Sequence, residues 1–196
     1  MTGAPALCAL LLAAGAGRRF DASGRRWKLA QALGDGRPVL RASCEALLGQ
    51  VDEVVVVYGS REAQVAQALH GLPVRIVQCG QAAAGMGATL KCGVRATHPS
   101  VGWIVALGDM PFIAQATVAA VCAALRDGAR IVRPFHQGLP GHPAGFRVDL
   151  REGLLALDDD SGAAALLRHE EILRLAVEDR GCIRDVDTPQ DLLEPG

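Results

Sequence analysis

The residues most suited to chemistry follow directly on apolar segments of the chain. The first apolar run leads into Leu12-Ala-Ala-Gly-Ala-Gly-Arg-Arg-Phe20, in which small residues precede two arginines. Small residues let backbone N–H groups approach a phosphate closely, and arginines give its oxygens charged, bidentate donors. The segment lacks the Gly-Lys-Ser/Thr of a Walker A loop and the third glycine of the dinucleotide fingerprint. It predicts a phosphate-binding turn, with a plain strand-to-helix turn as the alternative.

Lys28 is one of two lysines in a chain whose other basic side chains are arginines. Because arginine is the usual basic residue here, a lysine indicates a need for a compact ammonium group. We interpret Lys28 as a group that acts beside the phosphate-binding turn. An exposed lysine that only improves solubility is the alternative.

Acidic residues follow two further apolar runs. Leu107-Gly-Asp-Met-Pro111 places a carboxylate at the end of a run, where it is suited to hold Mg²⁺ together with phosphate oxygens. Asp185-Val-Asp-Thr-Pro189 repeats the arrangement, and alternation along a strand would put Asp185 and Asp187 on one face. These segments predict a magnesium site that contains Asp109 and Asp187, and Asp185 stays open as a further ligand. Helix capping, by Asp109 at one segment and by Asp187 or Thr188 at the other, is the alternative.

A scaffold of alternating strands and helices is expected to position these motifs. Apolar, β-branched runs that suit strands occur at Leu7–Ala13, Glu53–Tyr58, Val74–Gln78, Trp103–Leu107 and Ala129–Val132. Helical spacing occurs between them, at Pro38–Leu48, Arg61–Leu69, Met86–Ala96 and Gln115–Leu125. The alternation predicts βαβ units with fully buried parallel strands in a three-layer α/β/α sandwich. Ligands of such sheets bind at the carboxyl ends of the strands, where the motifs fall.

The pattern changes after Val132. The segment from Arg133 to Pro143 contains three prolines and two glycines, which predict turns around a short strand or hairpin and a sheet that becomes mixed. Four later elements are expected: a helix over Ser161–Arg168, a strand over Ile172–Val177, a strand over Ile183–Val186, and a helix that starts at Thr188-Pro189. A length of 196 residues without repeat or linker predicts one domain over 1–196.

Composition limits the classes of partner. Half of the residues are apolar and the formal net charge is −1, which disfavours disorder and a nucleic-acid-binding surface. The apolar stretch Leu7–Ala14 is far shorter than the ~20 residues of a membrane span, and no basic segment precedes it, so we expect a cytoplasmic protein. The six cysteines lack metal-ligand spacing, which disfavours zinc, and we interpret most of them as free, buried hydrophobic residues.

Five segments together resemble the MobA-like NTP transferases, and within them the molybdenum cofactor cytidylyltransferases. They are Leu12–Phe20 with Lys28, Gly85-Met-Gly-Ala-Thr-Leu90, Leu107–Pro111, Gly141-His-Pro143 and Asp185–Pro189, in this order along the chain. The resemblance implies a Rossmann-like, GT-A-like nucleotidyltransferase fold. It also implies transfer of CMP from CTP to the terminal phosphate of molybdopterin, for insertion into molybdenum hydroxylases of the xanthine dehydrogenase type.

The resemblance assigns roles to particular residues. Arg19, Lys28 and Asp109 are expected to be catalytic, with Mg²⁺ held by Asp109 and Asp187. Nucleotide binding is expected from the glycine turn and the start of a later helix, through Leu12, Ala13, Ala14, Gly15, Gly17, Arg18, Gly85 and Met86. His142 is expected to contact the acceptor, with a surface histidine of no role as the alternative. An ionised acceptor phosphate needs no general base, so catalysis is expected from positioning and charge neutralisation.

Some features favour CTP and others depart from the family pattern. Ala14, where guanylyltransferases usually carry glycine, and Gly141-His142-Pro143 favour CTP over GTP. The connection between Arg19 and Lys28 is longer than usual, and Thr89 and Lys91 replace the usual serine and arginine. The segment from Leu157 to Ala164 lacks the family's arginine, so a changed acceptor or weakened activity stays open.

Several alternatives remain at this point. The chain is also compatible with a guanylyltransferase, with a sugar-phosphate or other alcohol-phosphate nucleotidyltransferase, and with a non-catalytic protein that binds a pterin or a partner enzyme. A nicotinamide-dependent oxidoreductase is disfavoured because Tyr58-Gly59-Ser60 stands where its acidic residue is expected. A molybdenum hydroxylase or its maturation factor is the expected protein partner.

Overall fold

One sheet of eight strands organises the protein. The computed structural model describes residues 6–15, 17, 19–21, 23, 25–160, 162–163 and 170–193. The strands are β1 Leu7–Leu12, β2 Glu53–Tyr58, β3 Arg75–Gln78, β4 Gly102–Leu107, β5 Ile131–His136, β6 Leu139–Pro140, β7 Ala144–Arg147 and β8 Leu173–Ala176. The helices are α1 Val39–Glu45, α2 Glu62–Ala68, α3 Met86–Ala96, α4 Gln115–Arg126 and α5 Arg151–Leu155. Short 3₁₀ helices occur at Lys28–Ala30, Ala82–Ala84, Val148–Leu150, Arg180–Ile183 and Pro189–Leu192.

The sheet has a parallel half and a mixed half. Its order is β3-β2-β1-β4-β7-β5-β6, and β8 pairs with β5. The first four strands are parallel, β7 runs antiparallel to both β4 and β5, and β6 forms a hairpin with β5. The predicted mixed sheet and hairpin are therefore confirmed.

Alternation along β1 explains the three layers. Leu7, Ala9 and Leu11 belong to the core beneath α1 and α4, whereas Cys8, Leu10 and Leu12 belong to the core beneath α3 and α5. Successive side chains of a strand point to opposite faces, so a strand covered on both faces must be apolar throughout. Every residue of β1 is buried, as this requires. The predicted α/β/α sandwich is confirmed.

Four elements differ from the sequence predictions. β3 is largely exposed at the edge of the sheet, because it has a neighbour on one side only. β7 and α5 were not predicted, since a central glycine weakens the strand signal of β7 and α5 is only five residues long. Ile183–Val186 is no strand: residues 180–183 form a 3₁₀ helix, and Val186 N donates to the carbonyl of Asp109 (2.8 Å) across the end of β4. The predicted helix Ser161–Arg168 lies almost entirely outside the described residues.

The interpretation of the cysteines needs one correction. Cys79, which follows β3, forms a disulfide with Cys92 on α3. Their spacing of 13 residues matched no recognised pattern, and the fold alone brings the two sulfur atoms together. Cys8, Cys44, Cys122 and Cys182 are free and buried, as expected. None of the described helices combines the length and the hydrophobicity needed to cross a bilayer.

Candidate active site

The carboxyl ends of β1 and β4 form the base of the site. The Leu12 carbonyl accepts a hydrogen bond from Gly108 N (2.9 Å), and a Cβ at Gly108 would lie 3.1 Å from the same oxygen, closer than an ordinary van der Waals contact. Ser43, buried on α1, donates its hydroxyl to the Gly108 carbonyl (2.9 Å). These contacts fix the turn in which Asp109 stands.

Lys28 is buried between two carboxylates. Its Nζ lies 2.8 Å from Oδ2 of Asp109 and 3.2 Å from Oδ1 of Asp187. Burial by itself lowers the pKa of Lys28, but Asp109 and then Asp187 outweigh it, so the pKa is raised above its ordinary value. The alternative of an exposed, solubilising lysine is wrong, because only 7% of the residue is exposed.

Asp109, Asp185 and Asp187 bring one carboxylate oxygen each within 4.8 Å of one another. Desolvation, Asp187 and Asp109 raise the pKa of Asp185. Asp187 is partly desolvated as well, but hydrogen bonds from Arg19 and Lys28 bring its pKa below the ordinary value. Three carboxylates at this spacing form an oxygen-rich group of the kind that binds a hard divalent cation.

Helix capping does not account for Asp109 or Asp187. Ala114 is the N-cap of α4, and its N–H donates to Asp179 (2.9 Å). The backbone N–H groups of Asp187 and Thr188 donate to Asp191 (3.0 and 2.6 Å). Asp191 forms a capping box with Thr188, which is the N-cap of the final 3₁₀ helix. The carboxylates of Asp109 and Asp187 are thus left to face Lys28.

A cavity of about 530 Å³ opens beside this charged group. Seven of the predicted site residues line it: Leu12, Ala14, Gly15, Lys28, Gly85, Met86 and Asp109. A neighbouring cavity of about 370 Å³ shares Ala14 and Gly15 and is also lined by Ala13, Gly59 and Ser60. We call these two adjoining cavities, which lie at the carboxyl ends of the parallel strands, the nucleotide cleft.

Other predicted residues lie further from this cleft. Gly17 has φ +62° and packs against Lys28, so it shapes the turn and does not line the cavity. Arg19 is largely exposed and reaches Asp187 (2.7 Å), and Arg18 lies outside the described residues. His142 lines a separate, smaller cavity.

Comparison with known proteins agrees with this geometry. The model of the MobA-like NTP transferase domain matches residues 9–175. The chain belongs to this family. A curated relative named nicotine blue oxidoreductase, from Paenarthrobacter nicotinovorans, is 31% identical over 202 residues that cover 97% of each chain.

Solved structures of the MobA-like family show the same fold. A nucleotidyl transferase from Methanothermobacter thermautotroptrophicus is 25% identical, with a TM-score of 0.80 over 94% of this chain and 93% of that one. Molybdopterin-guanine dinucleotide biosynthesis protein A from Archaeoglobus fulgidus is 19% identical, with a TM-score of 0.69 over 95% and 94%. The Rossmann-like nucleotidyltransferase fold is therefore established for this chain.

Sequence reasoning missed part of the wall of this MobA-like site. Ala82, Ala83 and Thr89 line the nucleotide cleft, and the run of alanines before Gly85 was the available signal. Asp185, which the sequence left open as a metal ligand beside Asp187, lies in the same group of carboxylates.

The departures from the MobA-like pattern meet at the start of α3. Lys91 donates to the Leu157 carbonyl (2.8 Å) and pairs with Asp159 (2.5 Å). The Asp159 carbonyl also accepts a hydrogen bond from Ala88 N (3.0 Å), and a Cβ at Gly85 would clash with the same oxygen. Lys91 therefore anchors the acidic segment from Leu157 to Asp160 against the start of α3. The close approach of this segment explains why residue 85 is a glycine.

Proposed function

We propose that this protein is a magnesium-dependent cytidylyltransferase that transfers CMP from CTP to the terminal phosphate of molybdopterin and releases pyrophosphate. The observation that carries the proposal is the buried Lys28 between Asp109 and Asp187, at the mouth of a cleft walled by Gly15 and Gly85. Such a site offers charge and space to a triphosphate. The proposed reaction takes place in the cytoplasm, and the product is passed to a molybdenum hydroxylase or its maturation factor.

The step is an in-line displacement at phosphorus. An oxygen of the acceptor phosphate forms a bond to the α-phosphorus of CTP, and the bond from that phosphorus to the bridging oxygen of the β-phosphate breaks. The electron pair leaves with pyrophosphate. The acceptor oxygen is already ionised, so no side chain has to remove a proton. Lys28 and Arg19 offset the charge that develops on the leaving group, as positioned cations do in phosphoryl transfer.

The donor set fits Mg²⁺. Asp109 and Asp187 would hold the ion, and Asp185 supplies the third carboxylate of the same group. Bound there, the ion would contribute positive charge to the donor phosphates. Lys28 holds these two carboxylates close together, since its ammonium group contacts both Asp109 and Asp187.

The proposed preference for CTP rests on Ala14 and on the segment Gly141-His142-Pro143. Ala14 lines both parts of the nucleotide cleft, at the place where guanylyltransferases usually carry glycine. Competition between CTP and GTP for molybdopterin in one reaction tests the preference. We expect mainly the cytidylyl product; a mainly guanylyl product would overturn the choice of donor and leave the family assignment intact.

An oxidoreductase is the second candidate, because the curated relative is named as one. The end of β2 argues against a nicotinamide dinucleotide, since Gly59 and Ser60 line the cleft where an acidic residue would bind the ribose. The decisive experiment measures pyrophosphate release from each NTP with Mg²⁺ and molybdopterin, alongside oxidation of NADH and NADPH without NTP. Pyrophosphate release that requires both CTP and molybdopterin supports the proposal. Nicotinamide oxidation without pyrophosphate release would replace it.

A further inference from the structure

A third cavity lies next to the nucleotide cleft, on the α3 face of the sheet. Its volume is about 120 Å³, and we call it the Arg133 cavity. Leu12, Met86 and Leu107 line both this cavity and the nucleotide cleft. Asp109 follows Leu107 by two positions. A group bound in the Arg133 cavity would therefore lie beside the donor phosphates without taking their place.

The alternation of side chains along β5 brings a charge to this cavity. Ile131 belongs to the core beneath α3, Val132 belongs to the core on the opposite face, and Arg133 returns to the α3 face. Among the described residues that line the cavity, Arg133 is the one with a charged side chain. The other polar residue there, His142, is neutral near pH 7, because burial, and then Arg133, lower its pKa to about 4.

Arg133 uses one of its three side-chain nitrogens within the described part of the chain. Its Nε donates to the Gly141 carbonyl (2.6 Å), which restrains the orientation of the guanidinium group. No hydrogen bond or ion pair joins Nη1 or Nη2 to another described residue. Neither atom is sealed from solvent, since Nδ1 of His142 is the only side-chain nitrogen or oxygen of these residues that is buried without a partner. The two N–H groups along the Nη1–Nη2 edge match two oxygens of a phosphate.

A partly buried cation without a carboxylate costs free energy that a bound anion would recover. Burial lowers the pKa of Arg133, but an arginine stays protonated in a folded protein. Arg130 and Arg147, at the other ends of β5 and β7, both pair with Asp149 (3.0 and 2.7 Å). No carboxylate of the described chain pairs with Arg133 in this way. The apolar walls around it would strengthen its attraction to an anion, because they lower the local dielectric constant.

We propose that Arg133 binds the phosphate of the acceptor through its Nη1–Nη2 edge, where the Arg133 cavity adjoins the nucleotide cleft. The proposal rests on the proposed function, because it takes the acceptor to be a phosphate monoester that attacks the donor. The acceptor phosphate and the donor triphosphate repel each other, and Lys28 serves the donor. Arg133 supplies the positive charge that lets the acceptor oxygen approach the α-phosphorus. A cavity of about 120 Å³ has room for about four waters at ~30 Å³ each, which suits one phosphate group and excludes a nucleotide.

Inorganic phosphate tests the site without any turnover. With α,β-methylene-CTP and Mg²⁺ saturating the donor site, we expect the wild type to bind inorganic phosphate in a calorimetric titration. Arg133→Met retains much of the apolar side chain and loses the cation, so it should weaken this binding by at least about tenfold, as for a lost hydrogen bond to a charged group. Arg133→Lys should recover part of the loss, since it restores the charge without the two-donor edge. An unchanged affinity in Arg133→Met, or a wild type that binds no phosphate, would overturn the proposal.

Arg151→Met is the matched control. Arg151 is also partly buried and also donates to backbone carbonyls, those of Val94 (2.9 Å) and Thr97 (3.1 Å). It lines neither the nucleotide cleft nor the Arg133 cavity, so Arg151→Met should bind inorganic phosphate normally. Equal weakening in both variants would make Arg133 a structural residue. If Arg133 instead contacts a phosphate of the donor, Arg133→Met would weaken the binding of α,β-methylene-CTP and leave that of inorganic phosphate unchanged, which would also overturn the proposal.

Kinetics with molybdopterin and CTP then connect Arg133 to the acceptor. Arg133→Met should raise the KM for molybdopterin by at least about tenfold with the KM for CTP unchanged, and Arg133→Lys should give an intermediate value. An equal rise in both KM values would contradict a role limited to the acceptor. If the wild type transfers nothing to molybdopterin or does not bind α,β-methylene-CTP, the proposed function fails. The titration of the wild type and Arg133→Met with inorganic phosphate alone still decides whether Arg133 binds a phosphate.

Discussion

The two sides of the nucleotide cleft are built in opposite ways. One side carries buried charge, with Lys28 between Asp109 and Asp187. The other is rich in small residues, because Gly15, Ala82, Ala83 and Gly85 line the cleft there, next to Met86. Charged side chains stabilise mainly the transition state, in which negative charge develops on the phosphates. The shape of the cleft stabilises the bound substrate and the transition state alike. We therefore expect substitutions on the charged side to lower kcat and those on the small-residue side to raise KM.

Asp109→Asn should have the largest effect. The change keeps the size and one oxygen of the side chain but removes the charge that the proposed metal needs. Loss of a well-placed charge interaction in the transition state costs about 10²–10³ in rate, so we expect at least this fall in pyrophosphate release. The melting temperature should fall as well, because buried Lys28 loses the charge of its nearer partner and keeps only that of Asp187. Near-normal turnover would remove Asp109 from the chemistry and the proposed metal site with it.

Lys28→Met should lower kcat by about 10²-fold, since methionine retains much of the apolar chain and loses the ammonium group. Asp109 then loses the ammonium group that contacts it and Asp187 keeps its contact with Arg19, so added Mg²⁺ should raise the melting temperature of this variant more than that of the wild type. Lys91→Met is the matched control, because Lys91 is also partly buried and paired with an acid, Asp159. Equal losses of kcat in both variants would show that the effect is structural.

Gly15→Val tests the small-residue side. A Cβ at Gly15 meets no atom within 4 Å, so the fold should survive while the side chain enters the cleft. We expect the KM for CTP to rise by at least about tenfold with a smaller change in kcat. Gly34 also has open space around it and lies outside the cleft, so Gly34→Val should bind CTP normally. Unchanged CTP affinity in Gly15→Val would exclude the glycine turn from the site.

The sequence predicted the parallel half of the sheet better than the mixed half, and the reason is physical. A strand such as β1, covered on both faces, must be apolar throughout, which is visible in the sequence. β7 is specified instead by close packing, since a Cβ at Gly145 would lie 2.5 Å from the side chain of Val132. The ion pairs of Lys28 join residues that are 81 and 159 positions apart, which leaves no local pattern. The Cys79–Cys92 disulfide is closer in sequence, but its separation of 13 residues matches no recognised motif.

The smallest effect on catalysis is expected from the Cys79–Cys92 disulfide, which supports the small-residue side from behind. The segment that it closes carries Ala82, Ala83 and Gly85, so it acts on the wall of the cleft and not on its charges. A crosslink that closes a loop of about 15 residues contributes roughly 3 kcal/mol at most. Cys92→Ala should therefore lower the melting temperature by several degrees, at about 2–4 °C per kcal/mol. The KM for CTP should rise less than in Gly15→Val, and kcat should stay near the wild-type value.

Reduction with dithiothreitol is the control. It should lower the melting temperature of the wild type and of Cys122→Ala, which alters a free cysteine, but not that of Cys92→Ala. If reduction, verified by counting thiols, leaves the wild-type melting temperature unchanged, the disulfide does not stabilise this wall. If Cys92→Ala lowers kcat as much as Lys28→Met, the two sides of the cleft do not act separately.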